Sequence, residues 1–527
     1  MRVFKRLLAP RALAATAFIP LLAGCGVVNA SDSEDEDPIV VGTTSAPSTL
    51  DPAASWDGSW ELFRNVYQTL VAFPSGGARP EPDAATCSFK DAENRVYHCE
   101  LREGLKFSDG DTLDAAAVKY SIDRIRKIGV KGGPDGLLGS LENVTTQGSR
   151  DVTFHLKKPD ATFPFVLATP AMSIVDPDDY PATSLRRDGK VSGSGPYVLK
   201  TYKAGDRAEL VRNDSYKGFA DRKNGAVTIR YFTTSSDMVA ALKAKKIDLT
   251  YRGLAASDVV NLQDKKGDEG LQLVEGAGME TSYLVFNPKD PMAAKRAVRQ
   301  AVAQVVDRGA IAEKVYQDTV TPLFSMVPAG LVGHTTGFFD AYGEPSPAKA
   351  AEILSKAGIT APVPLTLWYT TDRFGSATAP EFAEIKRQLE ESGLFKVTLK
   401  SRPWNTYEAG YRKGEYPAFG RNWFPDFPDA DNFIAPFVGK ENAVGTPYTE
   451  PEITDELLPQ SRRESDRGAV VRQFARAEQI MAQDVRLLPL WQGKQYIAAS
   501  EDIAGGERAL DPSTIMLMWE LERKTSW

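Results

Sequence analysis

Apolar positions along the chain alternate between two periods. PIVVGTTSAPSTLDP (38–52) opens with a β-branched run broken by Ser, Pro and Thr, which predicts one buried strand and then a loop. In GSWELFRNVYQTLVAF (58–73), Trp60, Phe63, Val66, Tyr67 and Leu70 recur at helical spacing, the stripe of an amphipathic helix. CELREGLKFSDGDTLDAAAVKYSIDRI (99–125) reads as a strand, a Ser-Asp-Gly-Asp turn and a helix capped by Thr112 or Asp114, with Val118, Ile122 and Ile125 on one face.

The alternation continues to the C-terminal third. VTFHLKKP (152–159) is a strand, and GSGPYVLKTYKAGDRAELVRNDSYKG (193–218) is two strands around a Gly-Asp turn. AVTIRYF (226–232) is a strand, and SSDMVAALKAKKIDLTY (235–251) a helix running into another, a β-α-β rhythm. GMETSYLVFN (278–287) is a strand. It is followed by AAKRAVRQAVAQVVDRGAIAEKVY (293–316), where Ala297, Val298, Ala301, Val302 and Val305 form a continuous helical stripe. A short helix (347–358), a strand (364–370), and a helix with its strand (379–404) complete the pattern, which is α/β throughout with no internal repeat.

The first residues do not fit a globular fold. Four basic side chains (Arg2, Lys5, Arg6, Arg11) precede an apolar run from Leu13 to Ala23, too short for a membrane-spanning helix and typical of an export signal. Leu22-Ala23-Gly24-Cys25 resembles a bacterial lipobox, so residues 1–24 are expected to be removed and Cys25 lipidated. Two or more acyl chains anchor a protein stably where one does so marginally. Residues 25–37, polar and acidic, then form a solvated linker to the membrane.

Charge and cysteine usage narrow the function. The net charge of −7 becomes −11 once the four basic leader side chains are gone, and an acidic chain does not suit nucleic acid. With Cys25 assigned to lipid, Cys87 and Cys99 are left as a pair, which in an exported protein reads as a disulfide across a hairpin. The three histidines, His98, His155 and His334, are far apart. The sequence lacks HExxH, GxSxG, GxxxxGK[ST] and a strand–GxGxxG–helix, so it is read as non-enzymatic, with no metal and no cofactor.

Five ordered blocks carry a resemblance: TLDPAASWDGSWELFRNVYQTLV, LREGLKFSDGDTLDAAAVKYSIDRI, GSGPYVLKTYKAGDRAELVRNDSYKG, KRAVRQAVAQVVDRGAIAEKVY and NWFPDFPDADNF. Together, over roughly residues 38–500, they resemble the extracellular solute-binding family of the oligopeptide- and dipeptide-binding proteins. The resemblance implies a two-lobed α/β fold like that of periplasmic binding proteins, with an extra domain inserted in the first lobe. Residues 38–57, 190–280 and 492–527 would form lobe I, 58–189 the insertion and 281–491 lobe II. It also implies a monomer that captures short peptides for an ABC permease and its ATPase subunits. The same fold serves nickel or haem chelates, oligosaccharides, opines and peptide-sensing surface lipoproteins.

The resemblance also assigns site residues. Asp426, three residues after Trp423, matches the aspartate that pairs with a peptide's α-ammonium group. Trp423, with the main chain of Asn422 and Phe424, aligns with the segment lying along the ligand, and Trp404 with an aromatic bordering a side-chain pocket. Arg373 and Arg421 are the candidates for the peptide carboxylate, Arg421 standing one place from the family's arginine. The loop from Thr43 to Asp51 is expected to meet ligand through its main chain. Taken alone, an acidic loop holding Asp426, Asp429 and Asp431 reads as well as a solvated or helix-capping one.

Overall fold

The computed structural model describes residues 37–54, 58–264 and 270–524. The expected leader and Cys25 lie outside the described residues. Among the described residues no helix is long and apolar enough to cross a membrane.

Two long antiparallel strands organise the chain, Leu271–Phe286 and Leu487–Ser500. Their register breaks between Ala277 and Thr281, so Gly278–Glu280 bulges from the ladder. On one side of the bulge the pair continues into Leu249–Thr250, Ile39–Thr43, Ala226–Tyr231, Arg207–Arg212 and Tyr197–Lys203. On the other it continues into Ala418–Trp423, Val363–Thr370 and Phe395–Arg402. Bulges bend strands and strengthen local twist, which lets one continuous sheet serve two bodies. Two large apolar clusters follow: one packs around Leu62, Phe63, Phe154 and Leu517, the other around Tyr283, Val302, Ile385 and Phe433.

A separate four-stranded antiparallel sheet lies outside the long one. Its first two strands, Ala85–Phe89 and Val96–Leu101, set Cys87 opposite Cys99, and the two are disulfide-bonded as expected. Its helix, Ala115–Ile128, is capped by Asp114, whose carboxylate accepts the Ala117 N–H at 3.0 Å, and it ends at Gly129 in the left-handed region.

Two helices are shorter than their apolar stripes. The first runs only Ser59–Val66, because the Val66 carbonyl accepts the Gly195 N–H at 3.0 Å instead of continuing a helix. A Cβ on Gly193 would stand 2.2 Å from the same oxygen, so glycine permits this approach. Tyr67 and Leu70 stay buried beyond the helix end. The stripe from 293 to 316 divides into Arg296–Val305 and Arg308–Lys314, since Asp307 accepts the Ala310 N–H at 2.9 Å and caps a second helix.

Candidate functional site

Strand Ala418–Trp423 lies along the first long strand with Trp423 opposite Thr281 and Asn422 opposite Ser282, and so ends at the bulge. On its other edge it pairs with Val363–Thr370 only at Ala418 and Phe419. Where the two strands part, the Tyr407 hydroxyl sits between the carbonyls of Gly420 (2.8 Å) and Trp368 (3.1 Å). Beyond that fork, residues 421–423 present a main-chain edge without a strand partner among the described residues, the kind of edge to which an extended peptide can add.

After Trp423 the chain turns through Asp426, and Asn432 sets the geometry. Its Oδ1 accepts the Asp426 N–H at 2.9 Å and the Trp423 indole N–H at 3.4 Å, while its Nδ2 donates to Asp426 Oδ2 at 3.0 Å. Burial pushes the Asp426 carboxyl up to about 7, and the Asn432 hydrogen bond offsets this only in part.

The other two acids of the loop behave differently. Asp429 is gripped by Arg467 at 2.7 and 2.9 Å, and Asp431 by Arg462 at 2.8 Å through both oxygens. Both carboxylates are buried and ion-paired rather than solvated. Asp426 forms no ion pair among the described residues; its side chain meets only an amide.

The expected arginines gather around one aromatic. The Arg421 guanidinium lies 5.3 Å from the Trp404 ring, 5.8 Å from Tyr411 and 5.9 Å from Trp423, and Arg373 lies 5.6 Å from Trp404. Arg421 Nε is buried without a hydrogen-bond partner, and desolvation lowers its affinity for its proton. Neither arginine forms an ion pair among the described residues. The main-chain N–H of Trp404 donates to Asp372 at 2.7 Å, holding the ring beside the arginine-bearing loop. Trp423 is half-buried with its ring against Phe437 at 5.0 Å, and Phe424 is exposed.

Two participants escape sequence reading. Glu280, in the bulge, accepts from Asn422 Nδ2 at 2.7 Å and is pushed up to about 7 by burial, a tendency that Arg252 and Arg373 oppose. Arg252 pairs with Glu61 at 2.9 Å and donates to the Tyr251 hydroxyl at 2.7 Å. Asn432 is the other. Asp51, at the end of the 43–51 loop, is wholly buried and held by Arg124 at 2.6 and 2.8 Å, so that end of the loop is a structural anchor.

Among the described residues the site therefore has a carboxylate and two guanidiniums without ion pairs, an open strand edge and aromatic walls. Comparison with known proteins gives the family of the chain. The model of the bacterial extracellular solute-binding proteins, family 5 (middle), matches residues 79–445. The chain is similar to the probable D,D-dipeptide-binding periplasmic protein DdpA of Escherichia coli K12, 25% identical over 487 residues, covering 89% of this chain and 91% of that one. It is equally similar to di/tripeptide-binding protein 1 of Pseudomonas aeruginosa, 25% identical over 510 residues, covering 91% and 94%. Its fold matches the periplasmic binding protein DppA of Helicobacter pylori in complex with the peptide STSA, with TM-score 0.77 and 21% identity over 93% and 98% of the two chains. The two-lobed binding-protein fold with an extra antiparallel sheet, and a family model matched over more than half of the length, make this chain a member of the bacterial extracellular solute-binding proteins of family 5.

Proposed function

We propose that the protein captures short peptides with a free amino end between its two lobes and delivers them to an ABC permease. The observation that carries this is the contrast within one loop: Asp429 and Asp431 own arginines, whereas Asp426 is half-buried with only an amide for company. A partly desolvated carboxylate lacking a cation is costly, and a ligand ammonium would supply the missing charge and further donors. The open edge at 421–423 would take the peptide main chain without regard to sequence, Trp423 and Trp404 would wall its side chains, and Arg421 or Arg373 would meet its carboxylate. The printed names of the two curated relatives, a D,D-dipeptide-binding and a di/tripeptide-binding protein, support the same ligand class.

In this reading the domain map is 38–57, 190–280 and 492–527 for lobe I, 58–189 for the insertion and 281–491 for lobe II. The bulge at Gly278–Glu280 supports the join near 280. Residues 1–24 direct export and Cys25 carries lipid, which would hold the protein beside its permease.

The test is calorimetry of the chain lacking residues 1–37 against dipeptides to pentapeptides, each hit repeated N-acetylated and against Asp426→Asn. Binding of free-amine peptides, lost on either change, is the expected result. Indifference to acetylation, or no binding at all, would refute the peptide reading and turn attention to opines, sugars and metal chelates.

A further inference from the structure

We propose that Asp109, Asp111 and Asp176 form a binding site for a divalent cation of the calcium class, remote in sequence from the residues assigned to peptide. One carboxylate oxygen from each lies within 4.8 Å of the others. Proximity of acids is common on surfaces, and Asp109 and Asp111 are exposed. Asp176 is different. It is only 2% exposed; its Oδ1 accepts the Asp178 N–H at 2.9 Å, and its Oδ2, shut away from solvent, has no donor. A buried carboxylate oxygen with no partner carries an unreturned desolvation cost that a cation would remove.

The charges that bear most on Asp176 are all negative, those of Asp109, Asp111 and Asp179, so with its burial they push its carboxyl upward. Asp179 is itself committed to Arg186 at 3.0 Å and to the Ser192 hydroxyl, leaving the other three to share whatever neutralises them.

The fold, rather than a single flexible loop, brings these oxygens together. The Ser-Asp-Gly-Asp turn is closed by the Phe107 N–H on the Asp111 carbonyl (2.9 Å), with Gly110 at φ +106°, a conformation that side chains resist. The turn is tied to the returning chain by the Ser108 N–H on the Gly193 carbonyl at 2.8 Å. Asp176 arrives from the other side, its neighbour Val175 donating to Ser121 Oγ at 3.0 Å on the helix Ala115–Ile128. Carboxylates alone, with no nitrogen or sulfur ligand in the cluster, select a hard ion. Calcium accepts six to eight oxygens in adaptable geometry, so mono- or bidentate carboxylates with water would complete its shell. An ion here would fasten the 107–111 turn to the 175–179 segment, close to where Gly193 and Gly195 meet the end of the first helix.

The experiment uses the chain after treatment with a chelator and its removal. Ca²⁺ is titrated by calorimetry and Tb³⁺ by luminescence, with the wild type, Asp176→Asn, and the double variant Asp109→Asn/Asp111→Asn. The double variant changes only exposed side chains, so it keeps the test valid where Asp176→Asn disturbs folding. One site of about 0.1–1 mM affinity for Ca²⁺ is expected, as in extracellular modules, weakened on the order of tenfold or more by the double variant. No Ca²⁺ binding up to about 10 mM, or equal binding by the double variant, overturns the proposal. Neither result depends on what occupies the cleft.

Discussion

Two regions joined by one short loop treat charge in opposite ways. Where the loop meets the rest of its lobe, every charge is closed: Asp429 on Arg467, Asp431 on Arg462, with the Arg467 Nη1 also donating to the Ser461 carbonyl at 2.6 Å. Hydrogen bonds to main-chain carbonyls then join this region to the four-stranded sheet and its flank, the Ala161 N–H donating to the Arg462 carbonyl at 2.8 Å and the Asn94 side-chain amide to the Arg463 carbonyl at 2.9 Å. At the bulge, a few residues away, Asp426 and Arg421 are half-buried and without an ion pair among the described residues. A desolvated charge without an opposite charge lowers stability, and a ligand carrying that opposite charge would offset the cost, which makes the open region the candidate place for a ligand.

The comparison breaks most severely if the closed region is opened. Arg467→Met leaves Asp429 buried without its cation and should lower stability by about 3–5 kcal/mol, measured by denaturant unfolding. The reverse holds for Asp426→Asn. It keeps the shape and removes a half-buried charge that has no ion pair among the described residues, so the ligand-free protein should lose no stability while peptide binding falls on the order of 100-fold. Equal destabilisation by the two substitutions would erase the distinction drawn between the regions.

A pH series sharpens it further. With its carboxyl raised to about 7, Asp426 holds a proton below that pH, and a peptide ammonium must displace it to bind. Affinity should therefore fall as pH drops below about 7, by about tenfold per unit, and be nearly flat in Asp426→Asn. In the unliganded protein the sign is opposite for stability. A carboxyl whose folded value exceeds its unfolded value of about 3.9 stabilises the fold below that value, and the contribution is lost as pH rises to about 7. Glu280 is raised to the same range, so Glu280→Gln is the control that separates the two carboxyls.

What the sequence made legible was local. The Asp114 cap, the Cys87–Cys99 hairpin and the paired strands around Gly205-Asp206 each depend on residues a few positions apart, and the structure has all three. The end of the first helix was not legible, because Gly195, far along the chain, takes the carbonyl that would have continued it. At the site, Trp404, Arg373, Arg421 and Trp423 were legible only through family likeness, since nothing in their spacing says that three rings would surround one guanidinium. Glu280 was hidden for the same reason: its partner Asn422 is 142 positions away, and a glutamate in a strand ordinarily faces water. Asn432 could have been suspected, as a short amide shortly after an acidic turn commonly bonds back to the main chain.

Asn432→Ala tests whether the open carboxylate must also be aimed. Its amide fixes both the Asp426 side chain and, through the indole N–H, Trp423, so its loss should weaken binding about tenfold without altering the pH dependence that belongs to Asp426. The smallest effect is expected at Arg373. It is exposed and lies 5.6 Å from the Trp404 ring, whereas Arg421 is half-buried among three rings with its Nε closed off from solvent. Screening makes an exposed cation worth roughly 0.2–1 kcal/mol to a ligand carboxylate, about a 1.4- to fivefold loss in Arg373→Gln. That loss should shrink as salt is raised and vanish for C-amidated peptides. A larger, salt-insensitive loss at Arg373 would mean that lobe closure buries it, and would transfer to Arg373 the carboxylate role that the place of Arg421 among three rings favours.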